Sequence, residues 1–352
     1  MHPRAAPEIV DFAARDGFKL NFHHYPAKGN AGGAEPVILA HGAGVRSGIF
    51  LPPADETIVD ALLGAGYDVW LLNWRASIDL PPNEWTLEDA AVLDHPAAVR
   101  TVLDRTGAKS VKAVIHCQGS TSFMMSLVAG LLPDVSLVVS NAVALHPMVP
   151  RLSRLKSRYM TNTAGALVTY LNPQWGLSAP AGWPTVFDWF VRATHHECNN
   201  AVCKHSSFTF GAGFPTLWLH ENLDEATHEW LKGEFAHVPM TFFHEMQRCI
   251  EAGHLVSSGK YPELPASFVA QAPRTDARIA FLGGQFNHCF VPESQQRTLD
   301  FFDRHAPGRN AFYEIAGYGH LDVFIGKNAA RDNFPLIIDE LGKGGARADR
   351  KG

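Results

Sequence analysis

Short apolar segments alternate with helical segments along the first half of the chain, and this alternation is the feature that most constrains the fold. The segments EPVILAHG, DVWLLNWR, VKAVIHC and VSLVVSNAVAL are nearly continuous apolar runs. Such runs are typical of parallel strands covered on both faces by helices. The longest intervening segment, TLEDAAVLDHPAAVRTVLDRTG, has helix-capping residues at Thr86 and Asp89 and ends at Gly107. The pattern predicts an α/β fold with a mostly parallel central sheet.

A hairpin precedes this alternation, and a long insertion interrupts it. In IVDFAARDGFKLNFHHYP, Asp16 and Gly17 separate two alternating runs, which predicts an antiparallel hairpin. From about Pro150 the strands give way to helical stretches such as DEATHEWLKGEF, and ARIAFLGG later restores the strand pattern. We therefore expect a first core part at 1–149, a helical cap at 150–265 (the cap segment) and a second core part at 266–352.

Composition and charge exclude several classes of protein. Thirty Lys and Arg against 35 Asp and Glu give a formal net charge of −5, so no basic excess is available to displace the counterions of a nucleic acid. No apolar run reaches the ~18 residues of a membrane span. Five cysteines do not suggest a disulfide framework, and the first residues lack the apolar centre of a secretory signal. We expect a cytoplasmic protein, with its oligomeric state left open.

The strongest chemical signal is VKAVIHCQGSTSFMM, in which a buried strand leads through Cys117 into a helix. A sharp strand-to-helix turn lifts a nucleophile above the sheet, and the helix dipole beneath it favours thiolate over thiol. Gly119, two residues later, has no side chain, so the backbone of the helix can pass close to a neighbouring backbone segment. Ile115 stands where the pattern G-x-S-x-G has glycine, and an ordinary buried thiol is the alternative. The segment predicts a cysteine nucleophile.

A second signal is the motif HGAG at residues 41–44, directly after the strand EPVILA. In acyl-transfer enzymes the backbone N–H of the residue after His-Gly and that of the residue after the nucleophile converge on the oxyanion. These residues are Ala43 and Gln118 here. The alternative is a phosphate-binding turn, but Gly48 comes one residue late for the G-x-G-x-x-G fingerprint. We therefore predict an oxyanion hole and not a dinucleotide site.

The predicted general base is His320, in the motif YGHLD that follows the last predicted strand, NAFYEIAG. A residue at this point can lie above the carboxyl edge of the sheet. The nucleophile, the acid and the histidine of the predicted triad also follow one another along the chain in the expected order. Because the chain contains 18 histidines, a histidine by itself means little. Its position after the final strand distinguishes this one.

The residue that orients the base is expected after the strand ARIAFLGG, where Asn287 occupies the position of an Asp. A thiolate–imidazolium pair can exist before substrate binds, so an amide carbonyl suffices to orient the ring, as in Cys-His-Asn triads. The sequence thus predicts a Cys117–His320–Asn287 triad with a pre-formed ion pair. Asp322 and Asn141 are the alternative orienting residues.

Four segments together resemble a known family: YDVWLLNWRAS, TLEDAAVLDHPAAVRTVLDRTG, IHCQGSTSF and GYGHLDVFIGKNA. They are similar to the acid-lipase branch of the α/β-hydrolase fold, and more closely to Cys-bearing hydrolase domains fused to cholesterol-oxidase-type flavoenzymes. The resemblance spans nearly the whole chain. It implies an α/β-hydrolase fold with Cys117 as nucleophile, His320 as base and Asn287 in the acid position. The flavin domain has no counterpart here, so no cofactor is expected. Polyhydroxyalkanoate synthases also use a cysteine on this fold and have a segment similar to LNWR. Acyl transfer therefore remains an alternative to hydrolysis.

Two cysteines of the cap segment raise the question of a metal. Cys198 and Cys203 are flanked by His195, His196 and His205. The C-x4-C spacing is loose and no second pair of matching ligands follows. We therefore predict ordinary packing and no metal site, with the role of the pair left open.

Tryptophan is concentrated in the cap segment, which holds five of the eight tryptophans of the chain. They either line an apolar substrate cleft or form the core of a small helical cap. The residues concerned are Trp175, Trp183, Trp189, Trp218 and Trp230.

These features predict an enzyme that cleaves a small apolar ester, lactone or thioester through an acyl-cysteine intermediate. Cys117 attacks the carbonyl while the amides of Ala43 and Gln118 hold the oxyanion. His320 protonates the leaving group and then activates water. Two alternatives are an acyltransferase using the same intermediate and a ligand-binding protein on a disabled hydrolase fold.

Overall fold

The computed structural model describes residues 6–27 and 34–343. Its strands are β1 Glu8–Ala13, β2 Lys19–Tyr25, β3 Pro36–Ala40, β4 Asp68–Asn73, β5 Val111–His116, β6 Val135–Asn141, β7 Tyr170–Leu171, β8 Val238–Pro239, β9 Arg278–Gly284 and β10 Ala311–Ile315. Its α-helices outside the cap segment are Ile58–Gly64, Leu87–Asp89, His95–Thr106, Cys117–Val128, Glu293–His305, Asp322–Ile325, Ala329–Asp332 and Phe334–Gly342, with a π-helical turn at Ala90–Asp94 and a 3-10 turn at Ser47–Phe50.

Eight strands form one central sheet in the order β1-β2-β4-β3-β5-β6-β9-β10. The pairs β1–β2 and β2–β4 are antiparallel, and the other neighbours are parallel. Every residue of β3, β4 and β5 is buried, which explains why these strands are continuous apolar runs. The predicted mostly parallel sheet with helices on both faces is confirmed, as is the hairpin, whose Gly17 has a φ of 84°.

The sheet places four loops at one edge. β3, β5, β9 and β10 run parallel, so the residues that follow them lie at the same carboxyl edge. The loop after β3 carries the HGAG motif, β5 leads into the helix Cys117–Val128, and the loops after β9 and β10 carry Asn287 and His320.

Between β6 and β9 the chain forms the helices Arg151–Leu167, Trp183–Thr194, Ala201–Phe210, Glu225–Trp230 and Met240–Ala252, with 3-10 turns at Pro173–Gly176, His220–Asn222 and Leu231–Gly233. β7 and β8 pair as a small antiparallel sheet. A separate apolar cluster packs inside this region: Ala164, Leu171, Trp175, Val191, Phe208 and Met240. The boundaries predicted for the cap segment remain predictions. Across the described ranges, none of the helices combines the length and the apolar character that crossing a bilayer requires.

Candidate active site

Cys117 lies on a sharp turn between β5 and the following helix. Its φ of 55° is in the left-handed region that non-glycine residues rarely adopt. A Cβ atom on Gly119 would lie 2.2 Å from the carbonyl oxygen of His41, so the helix can approach that loop only with glycine there. Ile115 is buried in β5 and pairs with Ala40 of β3. The strand–turn–helix geometry therefore forms although Ile115 replaces the expected glycine.

Two backbone N–H groups face the sulfur of Cys117. One belongs to Ala43, in the loop after β3, and the other to Gln118, in the first turn of the helix. These are the two amides predicted for the oxyanion hole. The structure brings them together at the sulfur, where they can donate to a negatively charged atom.

His320 is buried beside Asn287, and the hydrogen bonds define its tautomer. Its Nδ1 lies 3.2 Å from Oδ1 of Asn287. The same oxygen accepts bonds from the backbone N–H groups of Cys289 and Phe290, each at 3.0 Å, which fixes the orientation of the amide. His320 therefore donates from Nδ1, and Nε2 carries the free lone pair. Among the described residues Nε2 has no hydrogen-bond partner.

The free imidazole and the thiol are neighbours. The Cys117 sulfur and one ring nitrogen each of His116 and His320 all lie within 4.8 Å of one another. Because Nε2 of His320 makes no hydrogen bond to any described residue, proton transfer requires the thiol and the imidazole to approach each other. A cavity with an empty volume of about 280 Å³, including its open mouth, lies beside Gly42, Ala43, Cys117 and His320. Space is thus present where a substrate carbonyl must bind.

The two alternative orienting residues have other partners. Asp322 accepts bonds from Asn222 Nδ2 at 2.7 Å and from the backbone N–H of Gly319 at 2.9 Å. Asn141 Nδ2 donates to the carbonyl oxygen of His320 at 3.1 Å. Both residues therefore hold the loop that carries the imidazole, whereas Asn287 contacts the ring.

Burial acts against the predicted ion pair. Burial raises the pKa of the Cys117 thiol to about 12, although the amides of Gln118 and Ala43 act in the opposite direction. Burial likewise lowers the pKa of His320 to about 3. A buried charge is costly without an opposite charge beside it, and Asn287 supplies none. Burial therefore favours a neutral thiol and a neutral imidazole, and the pre-formed thiolate–imidazolium pair stays a prediction.

His116 is part of the site, although sequence reasoning did not identify it. Its ring centroid lies 4.8 Å from that of His320. Its Nδ1 accepts a bond from Asn141 Nδ2 at 2.9 Å, so its proton is on Nε2. Burial lowers its pKa well below the usual value. Its position directly before the nucleophile was the signal that could have revealed it.

A large apolar cavity extends from Cys117 into the cap segment. Its empty volume is about 820 Å³, including its open mouth. Its apolar wall consists mainly of methionine and phenylalanine: Met160, Met240, Met246, Phe187, Phe208, Phe210, Phe242, Phe243 and Phe290. Cys117 and Phe210 line both this cavity and the smaller one. The thiol therefore stands where two spaces of unequal size meet.

The tryptophans of the cap segment divide between packing and solvent. Trp175 and Trp218 are buried, and Trp230 packs against the core. Trp183 and Trp189 are exposed by 48% and 79%. Of the two interpretations offered by the sequence, the structure favours packing, because phenylalanine and methionine provide the wall of the cavity.

One cation enters this apolar wall. Lys156 donates from Nζ to the backbone carbonyls of Phe208 and Gly211. Burial lowers its pKa to about 7. The sequence offers no local signal for Lys156, because its partners lie more than fifty residues away.

A nucleophile turn, two converging amides and an imidazole at the carboxyl edge of a parallel sheet define an α/β protein of the hydrolase class. A family model described as the alpha/beta hydrolase fold matches residues 35–326. The chain therefore belongs to the α/β-hydrolase fold family.

Individual relatives agree with this assignment. Sterol esterase 2 of Saccharomyces cerevisiae is 31% identical over 163 residues, covering 40% of this chain and 30% of that protein. The poly(3-hydroxyalkanoate) polymerase subunit PhaC of Haloferax mediterranei is 21% identical over 338 residues, covering 91% and 61%. Several lipases also match. The chain spans less than two thirds of the length of these curated relatives.

A solved structure of DcsB in complex with its substrate analogue shares the fold. The TM-score is 0.59 at 13% identity, over 96% of this chain and 98% of that chain. The resemblance to the α/β-hydrolase fold and its lipases is thus confirmed. The closer likeness to flavoenzyme-fused domains stays a prediction.

Proposed function

We propose that the protein is a cysteine-dependent hydrolase that cleaves an ester, lactone or thioester with an apolar acyl or alcohol group. The observation that carries this proposal is the convergence of three elements at the meeting point of two cavities. They are the Cys117 sulfur, the free Nε2 of His320 and the two amide N–H groups of Ala43 and Gln118. The apolar wall of the large cavity supports an apolar substrate.

In a neutral resting site, which burial of both groups favours, attack and proton transfer occur together. His320 Nε2 takes the thiol proton as the Cys117 sulfur forms a bond to the carbonyl carbon, and the carbonyl electron pair becomes an oxyanion. Collapse of the oxyanion breaks the bond to the leaving group, which receives the proton from Nε2. Water then loses a proton to Nε2 and attacks the thioester carbonyl carbon, and collapse of this second oxyanion breaks the bond to the Cys117 sulfur, which takes the proton from Nε2. Asn287 keeps the proton of His320 on Nδ1 throughout.

The absence of a carboxylate in the triad favours activated substrates. Among the described residues, the amide oxygen of Asn287 is the one hydrogen-bond partner of this ring, so the imidazolium that forms during attack is poorly stabilised. A thiolate is also a better leaving group than an alkoxide. The intermediate formed on a simple alkyl ester therefore expels the Cys117 sulfur more readily than the alcohol, and the attack is reversed. Thioesters, lactones and esters of acidic alcohols therefore fit the site better than simple alkyl esters.

The cap segment is proposed to cover the nucleophile and to select the substrate. Helices Arg151–Leu167, Ala201–Phe210 and Met240–Ala252 contribute to the wall of the large cavity. We assign the bulky apolar group of the substrate to this cavity and the smaller group to the space beside His320.

The intact mass of the protein after exposure to activated esters and thioesters of graded chain length tests this function. We expect an added acyl mass on the wild type and on Cys289→Ala, a matched control because Cys289 also lines the cavity. We expect neither adduct nor turnover in Cys117→Ala. Turnover that persists in Cys117→Ala, or a wild type that reacts at the rate of free cysteine, would refute the proposal and favour a ligand-binding protein.

An acyltransferase is the second candidate. The similarity to the PhaC polymerase subunit extends over 91% of this chain, and an acyl-enzyme shielded from water can pass its acyl group to an alcohol. Alcohols added during turnover distinguish the two candidates. A hydrolase releases mainly the free acid, whereas a transferase releases mainly the new ester.

A further inference from the structure

Four side chains with metal-binding atoms meet in the cap segment, away from the proposed active site. They are Cys198, Cys203, His220 and His228, and one ligand atom of each lies within 4.8 Å of those of the others. The Cys203 sulfur is 3.4 Å from Nε2 of His220. Around tetrahedral zinc, with Zn–S of about 2.3 Å and Zn–N of about 2.0–2.1 Å, neighbouring ligand atoms are roughly 3.3–3.8 Å apart. Only a small contraction separates the cluster from that geometry.

The donor set matches a structural zinc site. Two thiols and two imidazoles form the Cys₂His₂ set that zinc prefers over harder cations. Cys203 is buried and the other three residues are half-buried. Nε2 of His228 is buried and has no hydrogen-bond partner in the part of the chain that the structure describes. A buried polar nitrogen without a partner is costly, and a metal ion would supply one.

Two of the three flanking histidines considered from the sequence are engaged elsewhere. His205 contacts Asp188 at 3.0 Å, and His196 contacts the backbone carbonyl of Ala193 at 3.0 Å. The second pair of ligands is His220, in the turn His220–Asn222, and His228, in the helix Glu225–Trp230. Both segments pack beside the two cysteines.

A single side chain braces the cluster. Asn200 precedes the helix Ala201–Phe210, and its Oδ1 accepts a bond from the backbone N–H of Cys203 at 3.0 Å. Its Nδ2 donates to the backbone carbonyl of His228 at 2.6 Å. The two ligand-bearing segments are therefore held together by protein contacts, as zinc ligands in structural sites usually are.

We propose that Cys198, Cys203, His220 and His228 bind one zinc ion with a structural role. Binding releases the two thiol protons, and the two thiolates neutralise the charge of Zn²⁺. All four positions are filled by protein, which leaves no open position for catalysis.

The position of the cluster explains what the ion stabilises. The helix Ala201–Phe210 carries a ligand at Cys203 and the wall residue Phe208. Asn222, two residues after His220, donates to Asp322 at 2.7 Å in the loop of the proposed base. The zinc ion would thus fix one wall of the substrate cavity to that loop.

Cobalt and zinc titrations of the reduced protein test this site. The experiment uses Cys117→Ala throughout, because Cys117 forms a second potential metal-binding group with His116 and His320. We expect one Co²⁺ per chain, with thiolate-to-cobalt charge-transfer and tetrahedral d–d absorption, displaced by Zn²⁺. Zinc should also raise the melting temperature. These readouts do not depend on activity, so the site is tested independently of the proposed function.

Variants localise the metal. His228→Gln and Cys203→Ser should each weaken binding by about 100-fold or more, because even outer-shell changes cost about 10–100-fold. His196→Gln, a neighbouring histidine outside the cluster, should bind as the parent does. Two results would overturn the proposal: reduced protein that binds no cobalt, or purified protein without zinc in which Cys198 and Cys203 form a disulfide.

Discussion

Oδ1 of Asn287 lies 3.2 Å from Nδ1 of His320 and also accepts the backbone N–H groups of Cys289 and Phe290. Nδ2 of the same amide is buried and unpartnered within the described residues. An aspartate at this position would keep all three bonds and would lose none. The side chain is therefore placed like the acid of a triad and differs from it only in charge.

The first prediction concerns this charge. Asn287→Asp should raise the pKa of His320, because a carboxylate stabilises the imidazolium, and an opposite charge nearby shifts a pKa by about 1–3 units. Acylation of Cys117 by an activated ester at pH 7 should therefore be at least about tenfold faster. Asn287→Ala, which removes the orienting oxygen, should be about 100-fold slower. The burst of leaving group measures both, and a slower Asn287→Asp would contradict the proposed role.

The second prediction concerns pH. Because the pKa of His320 is lowered to about 3, the imidazole is neutral and able to accept a proton at any pH well above that value. kcat/KM should therefore stay within about twofold from pH 7.5 to 5.5, whereas a base with an ordinary pKa near 6.5 would lose about tenfold. Initial rates with an activated ester measure this. In Asn287→Asp the acidic limb should move to higher pH by about 1–3 units, and a limb that does not move when the pH series is extended to its lower end in the wild type would contradict the charge argument.

The sheet and the proposed triad could be predicted because their patterns are local. β3, β4 and β5 are buried on both faces, so their burial is recognisable in the sequence as continuous apolar runs. Cys117 and Asn287 follow strands whose carboxyl ends share one edge of the sheet, so their positions after those strands predict their proximity.

Other features depend on long-range packing and could not be predicted. Lys156 meets the carbonyls of Phe208 and Gly211 only when two helical regions pack together. His220 and His228 reach Cys203 across an intervening loop. The raised pKa of the Cys117 thiol depends on its burial in the folded protein, whereas the sequence shows only the helix dipole, which acts in the opposite direction.

The third prediction concerns the nucleophile turn. Gly119→Ala would place a Cβ atom 2.2 Å from the carbonyl oxygen of His41, which requires the HGAG loop to move. We expect a loss of about 2 kcal/mol or more in the free energy of unfolding, together with lower activity because Ala43 lies in the same loop. Urea unfolding measures the stability.

Gly64→Ala is the matched control for that substitution. Gly64 ends the helix Ile58–Gly64, is exposed, and has no atom within 4 Å of the added Cβ. Alanine is the better helix former, so this variant should be neutral or more stable by up to about 1 kcal/mol. Equal effects at both positions would show that the close approach at Gly119 is not the cause.

The fourth prediction concerns substrate size. Met246 lies on the helix Met240–Ala252, is buried, and lines the large cavity. Met246→Trp should fill part of this space, because tryptophan is larger than methionine and the surrounding core is close-packed. kcat/KM should fall by about tenfold or more for long-chain activated esters and change by less than about twofold for the acetate ester, since each lost methylene contact is worth about 1–3 kcal/mol.

The neighbouring position supplies the control for this prediction. Gln247 is half-buried on the same helix and donates to Glu251 at 3.1 Å in an exposed bond. Gln247→Trp adds a similar bulk at a residue that does not line the cavity, so the chain-length profile should match the wild type. If Met246→Trp lowers kcat/KM equally for every chain length, the bulky group does not occupy this cavity. The bulky group would then be reassigned to the smaller space beside His320, which also reaches the sulfur.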